Sequence, residues 1–321
     1  MPNDGDYGYG IFLPDPRSAA WFLQHGATLE DGLTRAMAWN GAWDLVRDAR
    51  MTPELFATAA LRAFEAERDE QIAGLLLGRI TWALERYITE GPARAALASS
   101  LEDLLIRRAG NADLDYGLRR AALDALLASA RSERAVRVLK EYLRGTRQFD
   151  GAPLGQPSRW AAVTRLLVID DADARTLFAA EQQRDSTPEA ARMAFIAGAA
   201  LRTAENKAAY YERFFSDAAL NEEWVTASLG AFNHPDHAGI TMAFLPRALQ
   251  SAEWLRENRR IFFLPRWLDA FIGGHTTPEA LNVVNGFLDE NPDLPIDIRR
   301  RVLQARDELE RTVRIRTTEE Q

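Results

Sequence analysis

A segment rich in tryptophan and alanine, residues 33–48, places the strongest constraint on how this chain can fold. At 100° per residue, its apolar side chains cover about half of the circumference of a helix. These side chains belong to Ala36, Ala38, Trp39, Ala42, Trp43, Leu45 and Val46. A helix at a protein surface buries a narrower stripe, so this helix must pack against more than one neighbour. The segment therefore predicts an array of stacked helices.

The rest of the chain has the same helical character. Alanine, leucine, arginine and glutamate dominate, and no run of alternating β-branched residues follows the first fifteen positions. We predict helices at residues 16–25, 31–49, 53–66, 69–89, 92–109, 113–130, 132–144, 158–168, 171–184, 188–201, 204–216, 218–232, 237–249, 251–270, 277–289 and 296–314. Because most connections are short, consecutive helices should be antiparallel. The predicted fold is all-α, an irregular HEAT-like or armadillo-like α-superhelix of antiparallel helix pairs.

Helix starts and breaks are marked by proline. The sequence Thr-Pro-Glu occurs at residues 52–54, 187–189 and 277–279, and in each case it offers a threonine N-cap, a proline at the first helical position and a carboxylate near the positive end of the helix. Pro265 lies inside the predicted helix 251–270, and we expect it to kink or divide that helix.

Two changes in composition indicate how the chain is divided. Tyr7, Tyr9, Ile11 and Leu13 alternate with other residues before a proline-rich break, which predicts a short strand within residues 1–14. Residues 15–321 then form the helical domain, with a possible internal boundary in the glycine- and proline-rich stretch 146–158. A lone strand has no partner, so it indicates either the end of a preceding domain or a packed tail of a complete protein.

Charge and composition exclude several classes of protein. The formal net charge is -8 and the isoelectric point is about 5.3, which argues against a nucleic-acid partner because such partners need a basic surface. No run of 18 apolar residues suggests a membrane span, and no signal peptide is visible. There are no cysteines, hence no disulfide framework and no thiolate nucleophile. We expect a cytoplasmic protein.

The candidate metal and catalytic motifs are weak. His234-Pro235-Asp236-His237 has its histidines three positions apart across a proline, whereas zinc-binding helices of metallopeptidases space them by four, so we predict a loop with Asp236 as an N-cap. The acidic stretch 170–173 is predicted to cap a helix, and the three arginines at 299–301 to lie on a solvated face. The sequence contains no nucleophile elbow, phosphate-binding loop or dinucleotide fingerprint. We therefore predict no catalytic, cofactor-binding or metal-binding residues in this chain.

Three segments carry a resemblance to a known family. They are residues 35–49, with the sequence Arg-Ala-Met-Ala-Trp-Asn-Gly-Ala-Trp-Asp-Leu-Val-Arg-Asp-Ala, then Asn3–Tyr9, and the long helix Ile298–Arg311. In order and spacing they resemble the C-terminal helical domain of bacterial aminopeptidase N, a zinc metallopeptidase. The resemblance spans nearly the whole chain, although the middle matches by helix pattern more than by identity. The zinc-binding His-Glu-x-x-His motif and the Gly-x-Met-Glu-Asn motif of that family lie in a separate catalytic domain and do not occur in this sequence.

The resemblance implies a function for the chain as one part of a larger enzyme. It implies an α-superhelix that closes over the catalytic domain, covers the active-site chamber and admits peptides, with zinc bound in the missing catalytic domain. The implied partners are the catalytic and β-sandwich domains of the same enzyme, together with peptides. A different class of function also fits the same fold, namely a free-standing helical-repeat scaffold that binds a protein partner.

The candidate interface residues lie near the start of the chain. Asn40, Asp44 and Arg47 form a polar stripe on the otherwise apolar helix 33–48, together with Asp48. One interpretation is a hydrogen-bonded network inside the helix stack. The other is contact with a neighbouring domain or a peptide, in which Tyr7 and Tyr9 of the predicted strand would take part.

Overall fold

The computed structural model describes residues 10–217 and 220–319. Within these ranges the regular structure is helical, and we number the helices α1 to α18. They are α1 Pro16–His25, α2 Gly32–Arg47, α3 Pro53–Ala66, α4 Glu70–Trp82, α5 Pro92–Ala109, α6 Tyr116–Ser129, α7 Glu133–Arg144, α8 Gln156–Val168, α9 Ala174–Arg184, α10 Ala190–Gly198, α11 Ala204–Ser216, α12 Glu222–Phe232, α13 Ala238–Thr241, α14 Leu245–Gln250, α15 Ala252–Asn258, α16 Phe263–Gly273, α17 Pro278–Glu290 and α18 Ile296–Glu319. The predicted all-α fold class is confirmed.

The described residues fall into two compact units. The first consists of residues up to 137 together with those from 314 onward, and the second of residues 138–313. The divisions fall within α7 and α18, so neither coincides with the predicted internal boundary at 146–158, which lies inside the second unit. The assignment of domains along the chain remains a prediction.

The predicted N-terminal strand is not formed in the part of it that the structure describes. Residues 10–15 have no regular secondary structure, and the described ranges contain no strand with which they could pair. A single extended segment cannot satisfy its backbone groups in a ladder, which explains the absence of a strand here. Tyr7 and Tyr9 lie outside the described residues.

The core of the first unit is organised around α2, as its sequence predicts. The Trp39 ring is buried, and it packs edge-on against Phe22 and Phe56 at centroid distances of 4.7 and 5.8 Å. The Trp43 ring, which is half-buried, lies 5.2 Å from Phe56 and 5.5 Å from Tyr87. The buried face of α2 is narrower than the sequence indicates, because its two alanines before Trp39 are only half-buried.

A π-helical turn ends the predicted helix 69–89. Helix α4 stops at Trp82, and residues Ala83–Tyr87 continue it with wider turns, in which the Ile88 N–H donates to the Ala83 carbonyl at 2.8 Å. A π turn accommodates one extra residue per turn and often occurs beside a functional site. Here it accompanies the burial of the Tyr87 ring, which stacks on Trp43.

The last turns of α18 complete the first unit. Arg314 Nη2 donates to the carbonyl oxygen of Arg47 at 3.0 Å, and Arg316 Nη1 donates to that of Arg86, also at 3.0 Å. Between them, Ile315 is buried. The two guanidinium groups thus satisfy carbonyls at the end of α2 and in the π turn, where the helix has no further N–H groups to offer.

An aromatic cluster forms the core of the second unit. The fully buried Trp267 ring of α16 lies 4.3 Å from Phe271, 5.9 Å from Tyr211 and 6.0 Å from Phe214. Its indole Nε1 donates to the carbonyl oxygen of Ala248 at 3.1 Å, so the buried polar group is satisfied. Helices α11, α14 and α16 are joined through this single side chain.

Two predicted helices of the second unit are broken into pieces. The segment 237–249 consists of short helical turns, and the predicted helix 251–270 is divided at residues 259–262 into α15 and α16. Pro265 lies in the first turn of α16, where its missing N–H costs no hydrogen bond. The expected division is therefore confirmed, but it precedes the proline, which starts a helix and does not kink one.

The threonine caps are only partly as predicted. Thr277 Oγ1 accepts a hydrogen bond from the Ala280 N–H at 3.4 Å, as an N-cap should, whereas Thr52 makes no such bond. At Thr187 the helix begins later, at Ala190. The Thr187 N–H instead donates to Asp185 Oδ1 at 3.1 Å, so this threonine belongs to the preceding turn.

Candidate functional site

The polar stripe of α2 lies beside a cavity in the first unit. Asn40 and Asp44, one turn apart on α2, line a cavity of about 1320 Å³. Its walls combine apolar and polar side chains from the entering chain, α1, α2 and α4; its lining residues include Ile11, Phe12, Pro14, Trp21, Phe22, Met37, Asn40, Asp44 and Arg79. Apolar walls with a few polar groups are typical of binding pockets.

Arg79 is the central charged group of this cavity. It comes from α4, and its Nη2 donates a hydrogen bond to Asn40 Oδ1. Its Nη1 is buried and has no hydrogen-bond partner among the described residues. Burial lowers the pKa of Arg79 to about 10, while the carboxylate of Asp44 opposes this shift and the charge of Arg47 adds to it. The protein thus replaces only part of the hydrogen bonding that the guanidinium has in water.

Arg79 is a site residue that helical periodicity does not reveal, although the sequence carries a signal for it. It is the only charged residue between Gln71 and Leu84, a stretch that otherwise reads as the apolar core of a helix. A lone cation in such a stretch indicates either a buried pair or a functional group. Its partner Asn40 is 39 positions away, so helical periodicity alone cannot reveal the pair.

Gly41 brings the entering chain into contact with α2. A Cβ atom at this position would meet Pro14 Cδ at 3.1 Å and the Phe12 carbonyl oxygen at 3.4 Å. The absence of a side chain therefore lets residues 12–14 cross α2 next to Asn40. This close crossing forms one wall of the cavity.

Helix α1 forms the outer rim of the cavity. Asp15 caps α1, because its Oδ1 accepts from the N–H groups of Arg17 and Ser18 at 3.0 and 3.1 Å. One face of the rim is apolar and open to solvent: Ile11 is 77% exposed, and Trp21, whose ring stacks on His25 at 4.9 Å, is 52% exposed. Exposed aromatic and aliphatic groups at a cavity mouth are typical of an interaction surface.

Of the predicted interface residues, the structure brings Asn40 and Asp44 together at the cavity and places Arg47 one turn further along α2. Arg47 does not line the cavity, and its carbonyl oxygen accepts from Arg314. Asp48 is exposed, with a carboxylate oxygen 3.9 Å from Arg50 Nε. The Asn40–Arg79 hydrogen bond agrees with a network inside the stack, and the exposed rim agrees with a contact surface; the role of these residues remains a proposal.

The histidine motif of the second unit has a structural role. His237 is buried and its Nε2 lies 2.9 Å from the Val168 carbonyl oxygen, while His234 Nδ1 accepts from the Asp236 N–H at 3.2 Å. The cap of this turn is therefore His234, and the prediction that Asp236 is the N-cap is wrong. Burial, with help from the charge of Lys207, lowers the pKa of His237 to about 4. Within residues 10–217 and 220–319 no three His, Asp or Glu side chains are grouped as a metal would require.

The charged clusters singled out in the sequence are held by local contacts. Lys140 Nζ lies 2.7 Å from Asp171 and 2.8 Å from Asp173, and Asp171 accepts from the Asp173 N–H just before α9. Arg299 Nη2 donates to the Leu288 carbonyl oxygen at 3.1 Å, near the end of α17. Arg299 therefore caps a neighbouring helix, contrary to the prediction, whereas Arg300 and Arg301 are exposed as predicted.

Lys207 is a buried cation that no sequence pattern indicates. It is one of two lysines in the chain, and its side chain is fully buried. Its Nζ donates to the carbonyl oxygens of Ala199, Phe232 and Ala231 at 2.6, 2.8 and 3.4 Å, which terminate α10 and α12. Burial lowers the pKa of Lys207 to about 7. The ammonium group takes the place of the missing N–H donors at both helix ends.

Comparison with known families identifies the fold. The model of the ERAP1-like C-terminal domain matches residues 1–311 of this chain. The chain belongs to this family. This ERAP1-like C-terminal domain is similar to aminopeptidase N of Streptomyces lividans, with 28% identity over 250 residues that cover 78% of the chain and 29% of the relative. The predicted relationship to the C-terminal domain of an aminopeptidase is confirmed.

A solved structure is also similar to this ERAP1-like C-terminal domain. It is the crystal structure of Legionella pneumophila aminopeptidase A in complex with aspartic acid, with 13% identity and a TM-score of 0.40 over 91% of this chain and 37% of that one. The chain thus spans less than a third of the length of its curated relative, which is a larger protein. In the described part of the ERAP1-like C-terminal domain, no helix is both long enough and apolar enough to cross a membrane.

Proposed function

We propose that this chain is the C-terminal domain of an aminopeptidase N-like zinc metallopeptidase. In that enzyme it covers the active-site chamber and controls the access of peptides. It takes no part in the chemistry. The observation that carries the proposal is the match to the ERAP1-like C-terminal domain over residues 1–311, combined with coverage of only 29% of aminopeptidase N. The partners are the catalytic and β-sandwich domains of the same enzyme and its peptide substrates. We propose a cytoplasmic location for the enzyme.

Zinc belongs to the other part of that enzyme. The described residues of this chain offer no group of three His, Asp or Glu side chains, and two of the four histidines in the sequence, His237 and His275, are buried. Zinc in peptidases needs three convergent protein ligands and an open position for water. We therefore assign no metal-dependent step to this chain.

A helical cover contributes to peptide hydrolysis by positioning. A wall around the chamber excludes large folded substrates, and contacts to the remote end of a peptide convert binding energy into orientation at the scissile bond. It also limits the entry of water and competing substrates. Within this proposal, Tyr7, Tyr9, Asn40, Asp44 and Arg47 are the candidate contacts to the neighbouring domains or the peptide.

The alternative, a free-standing helical-repeat scaffold, predicts a different surface for the first helices. A complete repeat protein covers its terminal repeat with a polar face. Ile11 and Trp21, both exposed beside the cavity, do not provide such a face. This observation supports the domain of a larger enzyme over the scaffold.

Reconstitution tests the proposal. The chain is mixed with the separately expressed peptidase part of its own open reading frame, and association is followed together with cleavage of an aminoacyl reporter and of a longer peptide. We expect the chain alone to be inactive with and without added zinc, and we expect its addition to change the rate ratio for the long peptide against the reporter. Zinc-dependent cleavage by the chain alone, or a reading frame without a peptidase region, would contradict the proposal.

A further inference from the structure

The cavity of the first unit contains an incompletely satisfied cation in an apolar setting. Arg79 gives one hydrogen bond, to Asn40, and its buried Nη1 has no acceptor among the residues that the structure describes. The Trp43 ring lies 5.9 Å from its Cζ, and this contact leaves the N–H groups of Nη1 unused. A buried guanidinium with unused donors costs free energy unless an anion or carbonyl group meets it.

The shape and position of the cavity indicate what kind of group completes it. Its volume of about 1320 Å³ can take several side chains, and its mouth is lined by the exposed residues Ile11 and Trp21. These exposed apolar residues can pack against a protein surface whose apolar side chains surround one buried polar contact. Arginine in a planar, partly desolvated position favours a carboxylate, which can accept two of its donors.

We propose that this cavity is a docking site for the rest of the parent enzyme, in which a carboxylate of that partner, flanked by apolar side chains, binds the free donors of Arg79. This inference rests on the proposed function, because it takes the neighbouring domains of an aminopeptidase as the occupant. Charge complementarity at one atom favours such a partner: the carboxylates of the lining, Asp15 and Asp44, leave the buried Nη1 of Arg79 without an acceptor. The open apolar rim extends the contact beyond a single ion pair.

The test measures binding between the full chain and the separately expressed peptidase part of its open reading frame by isothermal titration calorimetry. We expect Arg79→Met to weaken binding by about 10- to 100-fold, the range for loss of a charge-assisted hydrogen bond. Arg79→Lys keeps the charge but loses the planar pair of donors, so we expect an intermediate effect. The control is Arg107→Met, which removes an exposed arginine of the same unit that pairs with Glu65 at 3.0 Å, and which we expect to bind as the unchanged chain does.

Folding and alternative occupants are separated by further arms of the experiment. Thermal unfolding checks that each variant is folded, and Asn40→Ala provides a second route to the same site should Arg79→Met be unfolded; we expect it to weaken binding because it releases the guanidinium from its anchor. A peptide is titrated into the chain alone as a free acid and as an amide. Asp4→Asn and Asp6→Asn test whether the carboxylate is supplied by this chain itself.

Each outcome decides between the proposals. Weakened binding with Arg79→Met, unchanged binding with Arg107→Met and no Arg79-dependent peptide binding support the docking site. Association that does not depend on Arg79 or Asn40 overturns the docking site and leaves the proposed function standing. Peptide binding that depends on Arg79, or a loss of affinity on substitution of Asp4 and Asp6, assigns the cavity to another occupant and also overturns it. No association at all contradicts the proposed function.

Discussion

Arg314 Nη2 donates a hydrogen bond to the carbonyl oxygen of Arg47 across 267 positions of the chain, at a distance of 3.0 Å. A second bond of the same kind joins Arg316 to the carbonyl oxygen of Arg86. Both carbonyls belong to the ends of helical segments of the first unit, so the last turns of α18 serve as caps for elements near the start of the chain. This relationship can be tested directly.

Replacement of both arginines by alanine should destabilise the first unit. We expect a loss of about 1 kcal/mol for each bond, because hydrogen bonds from a charged donor are reduced in strength at a partly exposed site. Urea unfolding followed by tryptophan fluorescence provides the measurement. The control is Arg192→Ala in α10, whose guanidinium pairs at 2.7 Å with Glu189, the residue just before that helix. Equal unfolding curves for the double variant and the control would contradict the capping role.

Lys207→Met should destabilise the second unit strongly. The substitution leaves the buried carbonyl oxygens of Ala199 and Phe232 without the donor that they have at 2.6 and 2.8 Å. Two unsatisfied buried acceptors correspond to about 3 kcal/mol. The chain offers a control in its other lysine: Lys140→Met removes half-buried ion pairs with Asp171 and Asp173, for which we expect about 1 kcal/mol.

The Lys207 comparison is made by chemical denaturation at pH 6, where the amine of Lys207 is protonated. The two variants differ in position alone, since both replace lysine by methionine. If Lys207→Met and Lys140→Met have the same effect on the free energy of unfolding, the helix-end contacts of Lys207 contribute no more than a surface pair.

Stability should fall between pH 6.5 and pH 4 because of two buried histidines. Burial lowers the pKa of His237 and of His275 to about 4, whereas an unfolded histidine has a pKa of about 6.5. The unfolded chain therefore binds more protons than the folded chain in this window, and stability that is fully present above pH 6.5 is lost as the pH falls toward 4. The shift corresponds to roughly 3 kcal/mol for each histidine.

Replacement of both histidines by glutamine tests this prediction. Urea midpoints are measured at intervals from pH 4 to pH 8 for the unchanged chain and for the variant with His237→Gln and His275→Gln. We expect the variant to have a flatter profile over this range, even if it is less stable at pH 8. A profile of unchanged slope would show that carboxylates account for the acid sensitivity.

Gly41→Val should displace the entering chain from α2. A Cβ atom at this position already lies 3.1 Å from Pro14 Cδ, and the two further methyl groups of valine cannot fit between the helix and residues 12–14. We expect a loss of about 1–3 kcal/mol. Gly74→Ala in α4 is the control: a Cβ there meets nothing within 4 Å, and the substitution should stabilise the helix by about 0.5–1 kcal/mol. Thermal unfolding of the two variants should therefore shift in opposite directions.

The sequence predicts those elements best whose ends are encoded locally. Helices α1, α3 and α5 have the predicted bounds, and each carries a proline at its start. The break at residues 259–262 and the short turns of 238–250 were harder to place, because several apolar residues in a row fit one long helix as well as two short ones. The short helices α13 and α14 pack against α11 and α17 respectively, and periodicity does not record such contacts.

The candidate site was predicted in part for a similar reason. The polar stripe of α2 is visible by helical spacing, and the structure places Asn40 and Asp44 at a cavity. Arg79 and Lys207 were not identified, because their partners lie on other helices: Asn40 for Arg79, and the carbonyls of α10 and α12 for Lys207. A buried cation is recognised only when the groups that surround it are known.

The return of α18 to the first unit also affects the order in which this protein can fold during synthesis. Because residues 314–319 are synthesised after residues 138–313, the helices of residues 16–129 emerge before the caps from Arg314 and Arg316 exist. The second unit, by contrast, is encoded in one continuous stretch and can form while translation is still in progress. The first unit therefore lacks the caps from α18 until the whole of the second unit has been synthesised.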